Sequence, residues 1–180
     1  MDWLRDVPFA TKFIELDLGC GKGGFLAGMA EKYPDHFFLG VERQQGRVLK
    51  TQKKLNRLGI SNARVVLGNI RECAEQLPGA SIDRMHVLFP DPWPKRRHHL
   101  RRLFNREFLD ATYRLLKRGG RLRFMTDDEA YFCFAKKLAE ADERFRFVEE
   151  EERIYVRTDF QEVFEAQGKV IHLLVLEKSV

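Results

Sequence analysis

Short apolar runs alternate with longer amphipathic stretches along the first 141 residues, and that rhythm restricts the chain to few folds. The runs are FIELDL (13–18), FFLGVE (37–42), ARVVLG (63–68), MHVLF (85–89) and RLRFMT (121–126), all with β-branched or aromatic content. Between them, residues 22–33, 43–58, 71–77, 103–117 and 127–141 carry helical spacing, with Gly59 and Gly119-Gly120 as stop signals. Such alternation predicts an α/β fold with a single doubly wound, mostly parallel sheet. The rhythm then changes. FRFVEE (145–150) and VIHLLVLEK (170–178) flank one helix-like piece around 159–167, which predicts an antiparallel C-terminal strand.

A chain of 180 residues suits one domain, taken here as 1–180 with a short N-terminal arm. No apolar run approaches the roughly 20 residues that span a bilayer, so no membrane partner is expected. MDWLRDVPFATKF lacks a basic start followed by an apolar core, which makes the cytoplasm the expected location. Cys20, Cys73 and Cys133 are odd in number and far apart, so reduced thiols are expected rather than a disulfide framework or a zinc site. The net charge is +5, with acids gathered at Glu140, Asp142, Glu143 and Glu149–Glu152 and bases at Lys95–Arg106. A surface polarised in this way suits a polyanion on its basic side.

In an open parallel sheet, ligands sit beyond the C-terminal ends of the strands. The first such end is ELDLGCGKGGF (15–25), where Gly19, Gly21 and Gly23 allow a tight turn and close approach of the backbone to a ligand. A dinucleotide, S-adenosylmethionine and a bare turn all fit that loop. Glu42 closes the second strand where an acid can hold ribose hydroxyls, which serves either cofactor. Asp17 separates them: a carboxylate there repels a pyrophosphate and attracts the ammonium of a methionyl group. Asn69, beyond the third strand, is placed to meet the adenine edge or to form a turn.

FPDPWPKRRHHLRR (89–102) follows the fourth strand. Its prolines hold the backbone extended, Asp91 offers an acceptor, and Trp93 offers a flat apolar face. An aromatic plate beside an acceptor is a way to hold an unstacked nucleobase. Downstream, Lys95, Arg96, Arg97, Arg101 and Arg102 are placed to neutralise the flanking phosphates.

These motifs resemble the bacterial tRNA (guanine-N7-)-methyltransferases over nearly the whole chain. The resemblance rests on ELDLGCGKG (Asp17, Gly19, Gly21, Gly23), GVE (Glu42), GN (Asn69), FPDPWPKRRHHLRR (Asp91, His98, Arg101) and FMTDDE (Thr126, Asp127). It implies a Rossmann-like class I fold, S-adenosylmethionine as cofactor, and methyl transfer to N7 of a guanosine in the variable loop of tRNA. Guanine N7 carries an in-plane lone pair and no proton, so the reaction needs alignment and no general base. Asp91 and Asp127 are the candidate catalytic acids, placed to stabilise positive charge on the purine. Substrate-binding candidates are Asp91, Trp93, Lys95, His98, Arg101, Arg102, Asp127, Thr158 and Gln161.

The chain departs from the family pattern T-x-[FY]-E at Thr158-Asp159-Phe160-Gln161, where an amide replaces an acid. An amide offers one acceptor oxygen where two adjacent guanine donors ask for two, so Gln161→Glu is expected to raise activity. Three other readings stay open on sequence: an exocyclic-amine methyltransferase, a non-catalytic RNA-binding paralogue and, opposed by Asp17, a nicotinamide oxidoreductase. Oligomeric state is open as well.

Overall fold

The structure is a computed structural model that describes residues 3–150 and 155–179. The side chain of Arg96, and Glu151 and Glu152 of the acidic run, lie outside the described residues. Seven strands form one sheet: β1 (Phe13–Leu18), β2 (His36–Glu42), β3 (Ala63–Leu67), β4 (Ile82–Leu88), β5 (Leu116–Thr126), β6 (Phe145–Phe147) and β7 (His172–Lys178). Their order is β3-β2-β1-β4-β5-β7-β6. The first five pair in parallel, while β7 runs antiparallel to both β5 and β6. The strand order reverses at β1, which puts a crevice between the C-terminal ends of β1 and β4. Among the described residues no helix is long and apolar enough to cross a membrane.

Helices α1 (Gly24–Lys32), α2 (Gln45–Arg57), α3 (Ile70–Gln76), α4 (Arg106–Leu115), α5 (Glu129–Glu140) and α6 (Asp159–Ala166) complete the layers. One core gathers Ile14, Leu16 and Leu18 of β1 with Leu77, Leu109, Phe104, Phe124 and Tyr131. A second, on the opposite face, gathers Phe25, Leu26 and Met29 of α1 with Phe38, Leu55 and Tyr155. Side chains alternate along a strand, so Glu15 and Asp17 share the second face with these apolar groups.

Glu15 is fully buried, between His36 Nδ1 on β2 and His86 Nε2 on β4, each 2.7 Å from one of its oxygens. Burial alone would raise its pKa; the two histidines and Arg84 overcome that and hold it at about 2. This polar bridge ties β2, β1 and β4 together beneath the glycine loop.

The expected element boundaries shift in several places; the fourth strand, expected from Met85, begins at Ile82. The fifth strand begins at Leu116, directly after α4, and not at Arg121. Gly119 (φ 69°) and Gly120 do not stop a helix; they form a bulge within β5, where the register with β4 jumps between Ile82 and Arg84. FRFVEE contributes only Phe145–Phe147 as strand. Finally, the basic run expected as loop contains a 3₁₀ turn over Arg96–Arg101.

Candidate active site

The loop after β1 is built as a cradle. Gly19, Gly21 and Gly23 all have positive φ, and Gly23 leads directly into α1. At Gly23 a side chain is excluded twice, by φ 68° and by Thr51, against which a Cβ would collide. At Gly19 the opposite holds: a Cβ would meet nothing within 4 Å. The loop therefore leaves open space over Gly19.

Three side chains frame the cradle. Asp17 is buried at the end of β1, and burial, then the charges of Glu42 and Glu15, raise its pKa to about 7. Glu42 ends β2; its Oε2 accepts the Gly21 N–H at 3.1 Å and its Oε1 the Gln44 N–H at 2.8 Å. Each oxygen retains a lone pair for a hydroxyl donor. Asn69 is the N-cap of α3, with Oδ1 accepting from Arg71 N at 3.0 Å, so its exposed amide NH₂ stays available. A buried acid for an ammonium, an acid for a diol and open space over the glycines fit S-adenosylmethionine.

The FPDPW turn lies beside this cradle. Phe89 N–H bonds Met125 O at 2.8 Å, which extends the β4–β5 pairing by one residue. Phe89 (φ 53°) and Trp93 (φ 45°) both adopt left-handed backbone, a strain of about 1–3 kcal/mol each that concentrates around Asp91. Asp91 is 69% exposed, and Arg43, from the end of β2, reaches it at 3.5 Å. Trp93 meets the His98 ring edge-on at 5.7 Å and carries the Arg101 guanidinium over its ring at 4.9 Å. Lys95 is exposed at the start of the 3₁₀ turn, and His98 Nε2 accepts from Arg97 Nε at 3.3 Å.

Arg102 departs from its expected role. It is only 3% exposed, its Nε donates to Pro92 O at 2.8 Å, and its guanidinium lies over the rings of Tyr131 and Phe134. Its place is that of a clamp holding the proline turn on α5, not of a phosphate contact. Arg101 is exposed while its neighbour Arg102 is buried, a difference that composition alone does not reveal.

Helix α6 packs on the residue that opens the FPDPW turn. Its Phe160 and Phe164 pack on Phe89, and Thr158 caps its first turn by accepting from Gln161 N at 2.9 Å. Thr158 is buried and thus serves the helix directly. Gln161 is 5% exposed, and its Nε2 donates to Glu165 Oε1 at 3.1 Å. Glu165 in turn pairs with Arg157 at 2.5 Å. Asp127, just past β5, pairs with Lys169 at 2.5 Å. Both candidate catalytic acids therefore lie at the C-terminal ends of neighbouring strands, each beside one cation.

Four participants escape a reading of the sequence alone. Arg43 and Lys169 touch site residues only because the fold brings them there, and Glu165 touches Gln161 one turn along α6. The fourth is Asp159, whose Oδ1 would lie 2.8 Å from a Cβ on Gly24, so the start of α6 abuts the start of α1. No local pattern marks Arg43, Lys169 or Asp159, whose contacts cross between distant elements.

Comparison with known proteins gives three results. The family described as "Putative methyltransferase" matches residues 11–174. A tRNA (guanine-N(7)-)-methyltransferase of Mycoplasma pneumoniae is 34% identical over 97% of this chain and 88% of its own length, and one of Rubrobacter xylanophilus is 32% identical over 88% and 74%. Among solved structures, a rRNA methylase from Streptococcus thermophilus superposes with a TM-score of 0.62 at 19% identity, covering 94% of this chain and 89% of that one, a likeness of fold.

Proposed function

The chain belongs to the methyltransferase family that matches its residues 11–174, and we propose that its glycine loop, FPDPW turn and α6 bring a methyl donor and a guanosine together at one sheet edge. It is an S-adenosylmethionine-dependent tRNA (guanine-N7-)-methyltransferase, as are the relatives that it matches over nearly its whole length. We place the target guanosine in the variable loop of tRNA and the reaction in the cytoplasm, where its tRNA substrate is.

S-adenosylmethionine supplies the sulfonium-bound methyl group. The chain supplies placement. Asp17 receives the ammonium, Glu42 the ribose hydroxyls and Asn69 the adenine edge, while Gly19, Gly21 and Gly23 let the donor lie against the backbone. Guanine N7 carries a lone pair and no proton, so the residues that would hold the donor need only align its methyl with that lone pair, and no side chain is needed to remove a proton. Asp91 and Asp127 then face a purine that has become cationic, and their negative charge lowers the barrier. The cations beside them, Arg43 and Lys169, hold both acids in place until the base arrives.

Trp93, Lys95, His98 and Arg101 form the outer rim, with the ring to meet a base and the cations to meet phosphate. Thr158 and Gln161 complete the guanine side. The observation that carries this reading is the ion pair between Arg43 and Asp91 at 3.5 Å, which joins the end of the donor-binding strand β2 to the base-binding turn after β4. Its test uses tRNA transcripts in which guanosine is replaced by 7-deazaguanosine. Labelled methyl should enter the ordinary transcript and not the substituted one; equal labelling of both would exclude N7.

A further inference from the structure

Helix α2 carries a feature that the donor and base sites leave unexplained. From Arg43 to Arg71 the chain holds eight Lys or Arg residues and no Asp or Glu. Five of them, Arg43, Arg47, Lys50, Lys54 and Arg57, follow one another at intervals of four, three, four and three residues. On a helix turning 100° per residue, Arg47, Lys50, Lys54 and Arg57 fall within an arc of about 80°. Lys53 widens the arc to about 120°. Gln52 and Asn56, hydrogen-bonded to each other at 3.0 Å, and Leu49 occupy the other solvent-facing side. The apolar and small residues Thr51 and Leu55 are buried.

A solvated helix face usually mixes both signs, because i,i+4 pairs of opposite charge stabilise it. This face cannot do so. The helix contains no acid, and among the described residues no carboxylate lies within ion-pair distance of Lys50, Lys53, Lys54 or Arg57. Like charges one turn apart repel, so the stripe lowers helix stability when nothing covers it. Its origin is also specific. Arg43 touches Asp91 and Arg47 lies 3.8 Å from Glu42, so the stripe starts at the crevice and leads away from it for about 15 Å from Arg47 to Arg57.

We propose that the basic stripe of α2 is a second track for the RNA backbone, separate from the Lys95–Arg101 rim and meeting it at Asp91. This rests on the reading of the chain as a tRNA methyltransferase. The rim holds the backbone on one side of the target base, and the α2 stripe holds it on the other. A base lifted into the crevice between two clamped stretches of backbone is displaced from its stack without losing its anchorage. The stripe reads charge and spacing alone, so it adds affinity and register and no sequence preference.

The test is the salt dependence of tRNA binding by the full chain, measured by fluorescence anisotropy. The triple variant Lys50→Ala, Lys54→Ala, Arg57→Ala should weaken binding and make the slope of log affinity against log salt shallower by roughly two to three units. A second triple variant, Lys12→Ala, Lys136→Ala, Lys137→Ala, removes the same charge elsewhere and should keep the wild-type affinity and slope. Calorimetric binding of S-adenosylmethionine, retained by both, shows that each is folded. If wild type binds tRNA and the α2 variant binds it with the same slope, the stripe is a solvated face and the proposal fails alone. If both triple variants lose the same slope, the effect is net charge and the proposal also fails. Wild type that binds no tRNA at low salt overturns the stripe and the methyltransferase reading together. Loss of binding to phosphatidylglycerol vesicles in the α2 variant, with tRNA binding intact, would assign the stripe to a lipid surface instead.

Discussion

Glu42 accepts the Gly21 N–H at 3.1 Å, so the acid that ends β2 also fixes the shape of the glycine loop after β1. Its charge acts on the same loop from the other side, because with burial it helps raise Asp17 to a pKa of about 7. A carboxyl that is half neutral at neutral pH, next to a site for an ammonium group, makes donor binding a titration.

Asp17 ordinarily ionises near 3.8 and in the fold near 7, so between those values the unfolded chain holds fewer protons and stability falls as pH rises. A displacement of that size corresponds to on the order of 4 kcal/mol, complete above the folded value. An ammonium favours the ionised form, so donor binding should release a proton near pH 6 and tighten as pH rises to about 7.5. Calorimetry in buffers of different ionisation enthalpy measures that proton. Asp17→Asn should abolish the proton release, weaken donor binding by roughly 1.5–3 kcal/mol at pH 8 and raise thermal stability there. Donor affinity in wild type that is flat from pH 6 to 8 would remove Asp17 from the site.

Arg101 and Arg102 should separate by experiment despite being neighbours. Arg102→Ala removes a charge-assisted bond to Pro92 O and two ring contacts, and should cost roughly 2–4 kcal/mol of stability, read as a lower thermal midpoint. Arg101→Ala should leave the midpoint nearly unchanged while the salt slope of tRNA binding becomes shallower by about one unit. The reverse pattern would exchange the two roles.

Gln161 is oriented by Glu165, and that changes the expected effect of restoring an acid. Its NH₂ is held by the Glu165 carboxylate, which leaves the carbonyl oxygen as its remaining acceptor. In Gln161→Glu the new carboxylate faces Glu165 one turn away, so like charges offset the second acceptor and kcat/KM should change less than about threefold. The double variant Gln161→Glu, Glu165→Gln removes the repulsion and should exceed wild type, while Glu165→Ala alone should lower kcat/KM by about tenfold, near 1.4 kcal/mol. A large gain from Gln161→Glu by itself would show that Glu165 does not orient this position.

The glycine loop was legible in the sequence because its parts are local: Asp17 to Gly23 lie within one strand end and one turn, and strand-helix alternation alone fixes where that turn must sit. The β6–β7 antiparallel ending was legible from the change of rhythm after residue 141. What required the structure was pairing across the sheet. Glu15 reads as one residue of an apolar strand until the register places His36 and His86 on either side of it. Asp159 meets Gly24 across a separation of 135 residues. The inside and outside of a run such as Arg101-Arg102 are decided by Tyr131, which belongs to a helix formed later in the chain. Gly119-Gly120 misled for a related reason, since a glycine pair marks a bulge as readily as a helix end.

The central claim is the atom that receives the methyl group. Purified protein, S-adenosylmethionine with a labelled methyl and unfractionated tRNA lacking the modification are incubated, and the tRNA is digested to nucleosides for mass spectrometry. The account predicts label in N7-methylguanosine, located in the variable loop when the intact tRNA is fragmented. Label in an exocyclic amine, as N2-methylguanosine or N6-methyladenosine, or no label under conditions where both tRNA and donor bind, would contradict it.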